Sequence, residues 1–387
     1  MSIRLVRALA PVLLLLSLAG CAHRLSGPIH DAEGPPWLAS DAPDASGVPA
    51  IEVDHRVVMI GDAGYFLEDD PTLAALDAWA TAAGPATVLF LGDNIYNEGL
   101  TDEDRERGER ILAQQLAATD ARKIVIPGNH DWGLLARDYN LKSIVNQQTF
   151  VDGWAGGTAE FIPKDGCMGP EVRVLREASD DARAVVFVAV DPTPWIQERI
   201  REFCPLPEGE TRDHKQLHLE GLSAALETHA GDHVIVASHY PMLTGGPHGG
   251  LTYGFVVDMI VTPLGWMMGG LLNTYESDYA DWIERAGAVL RENPPAIYAA
   301  GHDHNLQLLE SGDVAGLFVV SGAGARNRVS TVTHIEETIF AHAAEGFVVV
   351  DFGRSAAGEE TIVVRVIEPL VSVDTPVYEY VVPELRP

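Results

Sequence analysis

The sequence predicts an α/β domain. Short apolar runs recur along the chain from residue 51, amphipathic segments separate them, and a polar cluster follows each run. Apolar runs bounded by Gly or Pro and alternating with helical patterns are typical of strands buried on both faces of a sheet. Hydrophobic residues make up 47% of the 387, so the chain has ample material for a core and is not disordered.

The predicted elements follow one another regularly. Five strands that precede polar clusters are predicted at 57–60, 87–91, 124–126, 233–237 and 296–300. Amphipathic helices are predicted at 71–83, 102–118 and 217–226. Strand-like runs close the chain at 346–351, 361–367 and 377–382.

Each of the five strands is followed by side chains that carry oxygen or nitrogen donors. The clusters contain Asp62, Asp93, Asn129 with its neighbours, His239, and the run 301–304. Ligands in open α/β sheets bind beyond the carboxyl ends of the strands. We therefore expect these side chains to surround one crevice, although a single Gly-Asp cluster alone is more typical of a turn.

The donor types predict metal chemistry. Carboxylates, an amide oxygen, imidazoles and a nearby tyrosine are hard to borderline ligands without thiolate, a set that suits Fe, Mn or Zn better than Ca or Mg. Seven donors exceed what one ion needs. Two ions that share a carboxylate are the simplest interpretation.

The N-terminus predicts export. Residues 1–20 contain Arg4 and Arg7, a short apolar stretch and small residues, as in a secretory signal. The run from Leu18 to Cys21 resembles a bacterial lipobox, so we expect lipid on Cys21 and a membrane-anchored lipoprotein facing the periplasm or the cell surface; an ordinary signal peptide is the alternative. Residues 21–50, rich in Pro, Gly and Ser, are predicted to form a flexible tether.

The charge of the chain bears on which binding partners it can have, and its cysteines bear on disulfide formation. Lys and Arg number 26 against 56 Asp and Glu, a formal charge of −30, which argues against nucleic acid and anionic membrane surfaces as partners. No protein partner is evident from the sequence. Cys167 and Cys204 would lie in an oxidising compartment, where they either pair or stay free, because sequence alone does not give their distance.

The order of these motifs resembles that of the calcineurin-like metallophosphoesterases, and more narrowly that of the purple acid phosphatases. The general superfamily begins with Asp-x-His, but Gly64 stands at that His position here. Tyr96, in Gly-Asp-x-x-Tyr, matches the purple acid phosphatase variant.

Later motifs extend this resemblance to the small, tartrate-resistant members of that group. They are His239-Tyr240-Pro241 followed by His248, the run Gly301-His302-Asp303-His304-Asn305-Leu306-Gln307, and Val320-Ser321-Gly322-Ala323-Gly324. The resemblance covers about residues 51–385, within a single predicted domain at 51–387. It implies a four-layer α/β/β/α sandwich of two mixed β-sheets flanked by helices.

The resemblance also implies roles for nine side chains. Asp62, Tyr96 and His304 would bind a first ion, Asn129, His239 and His302 a second, and Asp93 would bridge them, while His130 and His248 would face the substrate. The implied ions are Fe(III) and a divalent partner, Fe, Zn or Mn.

The implied activity is that of an acid phosphatase acting on a small phosphorylated substrate. Metal-bound hydroxide would attack the phosphorus of a monoester, and His130 is the preferred general acid. A phosphodiesterase acting on nucleotide or lipid headgroups is the alternative, and a non-catalytic binding lipoprotein is a further one.

One segment departs from the family. The chain between His239 and Gly301 is longer than we expect for small members of the family. This length predicts an insertion at about 249–290. Its part at 255–272 is strongly apolar, but Asp258, Pro263 and several glycines argue against a transmembrane helix. A packed insertion or lid is favoured over a membrane-touching or partner-binding patch.

Overall fold

The computed structural model describes residues 29–30, 34–40, 47–133, 140–197, 203–249, 274, 277–310 and 312–383. Two mixed β-sheets dominate this part of the chain, and helices lie outside them. The predicted signal peptide at 1–20, Cys21 and the apolar segment at 255–272 lie outside the described residues.

The elements run as follows. The first strands are β1 (Ile29–His30), β2 (Trp37–Leu38), β3 (Ile51–Ile60), β4 (Ala86–Leu91), β5 (Arg122–Ile126), β6 (Ala159–Phe161), β7 (Glu171–Arg176), β8 (Val185–Ala189) and β9 (His233–Ala237). The later strands are β10 (Ile297–Ala300), β11 (Leu306–Leu309), β12 (Leu317–Ser321), β13 (Val332–Thr333), β14 (Thr338–His342), β15 (Phe347–Ser355), β16 (Glu360–Ile367) and β17 (Tyr378–Val381). The α-helices are α1 (Pro71–Ala82), α2 (Arg105–Ala117), α3 (Asn129–Trp132), α4 (Leu141–Asp152), α5 (Thr193–Ile196), α6 (His214–Thr228) and α7 (Ser277–Glu292).

The two large sheets have different strand orders. The first has the order β17-β16-β15-β3-β4-β5-β6, and β3, β4, β5 and β6 run parallel. The second has the order β2-β14-β11-β12-β10-β9-β8-β7, with β8, β9, β10 and β12 parallel. The parallel strands form one half of the first sheet, from β3 to the edge strand β6, with antiparallel strands beyond β3. In the second sheet they form the centre, with antiparallel strands on both sides.

Side-chain alternation builds three apolar layers between the elements. Val57 and Met59 of β3 face a core shared by both sheets, whereas Val58 and Ile60 face the layer under α1 and α2. Phe187 of β8 belongs to the shared core, and its neighbours face a third layer under α6 and α7. Successive residues of a strand point to opposite faces, so strands covered on both sides read as continuous apolar runs. This arrangement confirms the predicted four-layer α/β/β/α sandwich.

Strand β3 is longer than the apolar run predicts. It begins at Ile51 because its polar first half pairs with β15 in an antiparallel ladder. Within that ladder the buried guanidinium of Arg56 donates to both carboxylate oxygens of Asp351, at 2.6 and 2.8 Å. Charged residues that are paired across a sheet interior interrupt the apolar pattern without ending the strand.

Two short segments within the predicted tether at 21–50 contact the domain. Strand β1 pairs with β13, and β2 adds an edge to the second sheet beside β14. The ring of Trp37 stacks on that of His334, with centroids 4.3 Å apart. Among the described residues, no helix is long and apolar enough to cross a membrane.

A disulfide joins Cys167 to Cys204, which settles the alternative that the sequence leaves open. It closes a loop across a separation of 37 residues that contains β7, β8 and α5. A cross-link over a loop of this length stabilises the fold by up to about 4 kcal/mol in the chain-entropy description.

Candidate metal centre

Five strand ends meet at one edge of the sandwich. Strands β3, β4 and β5 of the first sheet and β9 and β10 of the second all end there. The amide of Gly61, just past β3, donates to the carbonyl of Ser321 at the end of β12, at 2.7 Å, and so joins the two sheets. The loops that carry the predicted donors therefore face one another.

Two glycines allow these loops to approach closely. Gly92 has φ +92°, and a Cβ there would lie 2.6 Å from Nδ1 of His239. A Cβ on Gly128 would clash with the carboxylate of Asp93. At these two strand ends, glycine therefore precedes Asp or Asn because a larger side chain would clash with the donors of the site.

Three of the predicted donors lie on left-handed backbone. The φ angles are +60° at Asp62, +53° at Asp93 and +69° at His302. This conformation costs a non-glycine residue of order 1 kcal/mol or more, and it concentrates at functional sites where the surroundings impose it. At these three positions the backbone keeps this conformation in loops that meet at the shared crevice.

One group of donors forms around Asp62. The hydroxyl of Tyr96 donates to Oδ1 of Asp62 at 2.8 Å and lies 3.2 Å from Nε2 of His304. The same His304 nitrogen is 3.2 Å from Asp62 Oδ1. The three predicted ligands of the first ion are therefore in mutual contact.

A second group forms around His239. Its Nε2 lies 3.1 Å from Oδ1 of Asn129 and 3.1 Å from Nδ1 of His302. Asp93 lies beside this group, with Oδ1 at 3.4 Å from the same Nε2. Ligand atoms of Asp62, Asp93 and His239 all lie within 4.8 Å of one another. Asp93 therefore stands between the two groups, as expected of a bridging carboxylate.

Histidine orientation shows that these groups fit cations. Nδ1 of His239 is 2.9 Å from the carbonyl of Leu91, and Nδ1 of His304 is 2.8 Å from the carbonyl of Arg328. A carbonyl only accepts, so each Nδ1 carries a hydrogen, and in the neutral ring each Nε2 then presents a lone pair toward other acceptors. Lone pairs facing carboxylate and amide oxygens repel one another unless a cation lies between them. This backbone-anchored histidine is the usual arrangement around a bound metal.

The electrostatics of the buried carboxylates agree with that fit. Burial alone would raise the pKa of Asp93, but the charges of His239 and His130 outweigh it and hold that pKa well below its usual range. Burial would lower the pKa of His239, yet Asp93 and Asp62 raise it to about 10. Burial and the charge of Asp62 raise the pKa of Tyr96 well above 10. Without an ion the site attracts a proton to His239, which shows its demand for positive charge.

The two predicted substrate-facing histidines flank these donors. The amide of His130 donates to Oδ1 of Asp93 at 2.8 Å, and its ring Nδ1 is 2.7 Å from the carbonyl of Asn97. The ring of His248 stacks on that of His302 with centroids 3.7 Å apart. The structure thus brings all seven predicted ligands and both histidines into one cluster, and the variants below test their individual roles.

Sequence reasoning did not identify two buried carboxylates that position the cluster. Asp131 accepts hydrogen bonds from the amides of Asn94, Ile95 and Gly128, and so ties the loop after β4 to the loop after β5. Asp303 accepts from the amide of His248 at 3.0 Å. Asp131 ends the motif 128–131, and Asp303 lies between His302 and His304 in the motif 301–304. Their place in the same motifs as predicted ligands was the available signal.

Thr244 connects Asp303 to the loop that carries His248. Its hydroxyl donates to Asp303 at 2.5 Å and accepts from the amide of Gly246 at 2.9 Å and from Nε2 of Gln307 at 2.8 Å. All of these groups are buried. One hydroxyl therefore satisfies three buried polar neighbours.

Thr244→Val is expected to lower the free energy of unfolding by about 3 kcal/mol, because an isosteric methyl leaves buried donors unsatisfied. The activity of the site should fall with it, since the loop that carries His248 loses its attachment. Urea unfolding and steady-state kinetics measure both effects. Thr244→Ser, which keeps the hydroxyl, should restore stability and rate; a Val variant as stable as the Ser variant would contradict this role.

Arg328 lies at the rim beside Tyr96. Its guanidinium carbon is 4.1 Å from the centroid of the Tyr96 ring, and it follows the Gly322-Ala323-Gly324 motif by four residues. Sequence reasoning did not single it out, because an arginine after a glycine motif has no specific signature.

Comparison with known proteins agrees with this geometry. The family model for calcineurin-like phosphoesterases matches residues 55–306. The chain is 25% identical over 285 residues to purple acid phosphatase 17 of Arabidopsis thaliana, covering 70% of this chain and 69% of that protein. It is 25% identical over 246 residues to human tartrate-resistant acid phosphatase type 5, covering 62% of each.

A solved structure shows the same fold. The match is to GAP50, described as the anchor in the inner membrane complex of Plasmodium, with a TM-score of 0.54 at 14% identity, covering 85% of this chain and 88% of that one. The family model alone spans well over half of the chain, and the resemblance read from the motifs is confirmed. The chain belongs to the calcineurin-like phosphoesterases, hydrolases that bind two metal ions at a site of this kind.

Proposed function

We propose that the protein is an acid phosphatase that hydrolyses phosphate monoesters. The observation that carries the proposal is the pair of donor groups around Asp62 and His239, joined by Asp93 and flanked by His130 and His248. Similarity to two proteins named as acid phosphatases supports the same choice.

The chain's own residues would divide the chemistry as follows. Two bound ions would supply Lewis acidity for the phosphate oxygens and an activated water as nucleophile. His130 keeps its Nδ1 hydrogen on the carbonyl of Asn97, so its Nε2 can carry a proton to the leaving oxygen. His248, held by Asp303 and stacked on His302, would neutralise developing charge on the phosphate.

The substrate class is tested with two chromogenic esters. We expect nitrophenyl phosphate to be hydrolysed with a much larger kcat/KM than bis(nitrophenyl) phosphate at acid pH, both measured by nitrophenolate release. A preference for the diester would replace the monoesterase with the phosphodiesterase alternative. Absence of hydrolysis of either ester by metal-loaded protein would favour the non-catalytic alternative.

We propose Fe(III) and a divalent ion, Fe, Zn or Mn, as the metals. Tyr96 supports this choice, because its hydroxyl is buried against Asp62 and stays protonated unless a strongly polarising cation displaces the proton. Phenolate is a hard oxygen ligand that suits a trivalent ion.

Tyr96→Phe tests the iron. A tyrosinate bound to ferric iron absorbs visible light by charge transfer, so the wild-type protein should be pink or purple and the variant should be bleached. Absorption spectra and iron analysis of both proteins are the measurement. Tyr65→Phe, which changes the neighbouring stacked ring, should keep the colour. A colourless, iron-free and fully active wild type would contradict the iron assignment.

We also propose that the protein is an exported lipoprotein anchored through Cys21 and facing the periplasm or cell surface. The disulfide between Cys167 and Cys204 is in keeping with an oxidising compartment. Cys21→Ser should move the protein from the membrane fraction to the soluble exported fraction, as followed by immunoblot. If the variant stays with the membrane, the lipid anchor is wrong.

A further inference from the structure

Arg328 is tied to the metal centre by both its backbone and its side chain. Its carbonyl accepts the hydrogen bond from Nδ1 of His304, and its guanidinium lies over the Tyr96 ring at 4.1 Å. His130 contacts the same ring, with centroids 4.7 Å apart. Arg328 and the histidine expected to protonate the leaving group thus lie around one tyrosine.

Among the described residues, the side-chain hydrogen-bond partners of the Arg328 guanidinium are neutral groups. Nη1 donates to the hydroxyl of Tyr65 at 3.2 Å and to Oδ1 of Asn97 at 3.4 Å. In the described part of the chain, no carboxylate lies within ion-pair distance of Arg328, although acidic residues outnumber basic ones 56 to 26 in the sequence. Arg56 and Arg365, by contrast, both pair with Asp351.

This leaves donors for an anion. A guanidinium has five N–H groups in a planar fork, and the two neutral acceptors engage only Nη1. Stacking on a tyrosine fixes the plane of the fork and reduces the entropy lost when it binds. A half-buried, pre-oriented arginine that has no carboxylate partner among the described residues, at the rim of a phosphoesterase site, is suited to an anionic ligand.

The position of Arg328 indicates which part of the ligand it reaches. The guanidinium lies over the face of the Tyr96 ring, whereas the Tyr96 hydroxyl is the atom that contacts Asp62 and His304. It is therefore set back from the donors that would hold the reacting phosphate. It shares two neighbours with His130, namely the Tyr96 ring and Asn97.

We propose that Arg328 binds a second anionic group of the substrate, attached to the phosphate that is hydrolysed. The preferred substrates are then phosphate esters or anhydrides that carry a further phosphate or a carboxylate. This inference rests on the proposed function, because it takes the group beside His130 to be the leaving group.

Calorimetry with two ligands that are not hydrolysed tests this contact. Methylenediphosphonate carries a second anionic group and methylphosphonate does not. Arg328→Gln should weaken binding of methylenediphosphonate to the metal-loaded protein by about tenfold or more, as expected for a charge-assisted hydrogen bond, and should change methylphosphonate binding less than about twofold. Arg328→Lys should retain part of the difference.

Arg110 supplies the matched control. Its guanidinium stacks on Phe66 at 4.4 Å on the exposed side of α2, so Arg110→Gln removes an equivalent cation without touching the site. That variant should bind both ligands as the wild type does. Equal losses for both ligands in Arg328→Gln, or no loss for either, would overturn the inference.

Hydrolysis rates test whether a carboxylate can take the place of the second phosphate. They also distinguish a failure of the Arg328 inference from a failure of the proposed function. Carboxyphenyl phosphate should be preferred to phenyl phosphate, and Arg328→Gln should remove that preference through KM. If monoesters are not hydrolysed but the calorimetric difference persists, the proposed function fails and the ligand contact stands. If monoesters are hydrolysed without any difference, only the Arg328 inference fails.

Discussion

Asp93→Asn is expected to reduce kcat by more than about a hundredfold. Removing a residue that only supports a metal ligand costs about 10- to 100-fold in metal affinity or activity, and Asp93 is predicted to be a ligand itself. Asp93 lies between the donor groups around Asp62 and His239, and its Oδ1 also accepts from the amide of His130. An amide keeps the shape but removes the charge that two cations would share. Metal analysis should show that the variant has lost at least one of the two ions.

Asp69→Asn is a close control for that change. Asp69 is an exposed aspartate on the same left-handed backbone, with φ +55° against +53° at Asp93, so it shares the conformational cost but not the site. The control should keep full activity and its full metal content. An Asp93→Asn variant that also retained both would show that Asp93 does not bridge the ions.

His130→Ala should lose about 10²- to 10⁴-fold in kcat on alkyl phosphates, the usual contribution of a positioned general acid, and much less on nitrophenyl phosphate. An alkoxide needs a proton to depart, whereas nitrophenolate is stable without one. Steady-state rates on a series of esters with different leaving-group pKa values measure the difference. His229→Ala, at a half-buried histidine paired with Asp232 on another face, serves as the control.

The rates on the same series of esters should also depend on pH in a defined direction. Burial lowers the pKa of His130, and the charge of Asp93 only partly offsets it, so the net pKa lies below the ordinary 6.5. The ring is therefore protonated at acid pH and loses its proton as pH rises through that pKa. Wild-type rates on alkyl phosphates should fall with it, and the His130→Ala rates should not. Equal losses on good and poor leaving groups would remove His130 from the acid role.

The elements that could be predicted are those in which apolar residues recur with a clear helical or strand spacing. Helices expected at 71–83 and 102–118 occur as α1 and α2 within three residues, because they carry one apolar face and are bounded by strand ends. The apolar strands before the five polar clusters were equally clear. The cluster itself could be predicted because strand ends of parallel sheets meet, which is a property of topology rather than of any single motif.

The remaining elements depend on partners that lie far away in the chain. Strands β1 and β2 lie in a stretch where apolar residues do not recur at strand or helix spacing. They are strands because they pair with β13 and β14. The polar half of β3 depends on Asp351, almost three hundred residues later. Arg328 and Thr244 act through contacts across loops, and the pairing of Cys167 with Cys204 depends on a distance that spacing does not specify.

Metal stoichiometry tests the central claim most directly. The protein, purified without chelator and loaded with iron and a divalent ion, should contain two ions per chain by inductively coupled plasma mass spectrometry. Asn129→Ala and His304→Ala, one from each donor group, should each retain one. A wild-type protein that binds no ion under these conditions, or variants that keep both, would contradict the paired-cation site on which the proposed chemistry depends.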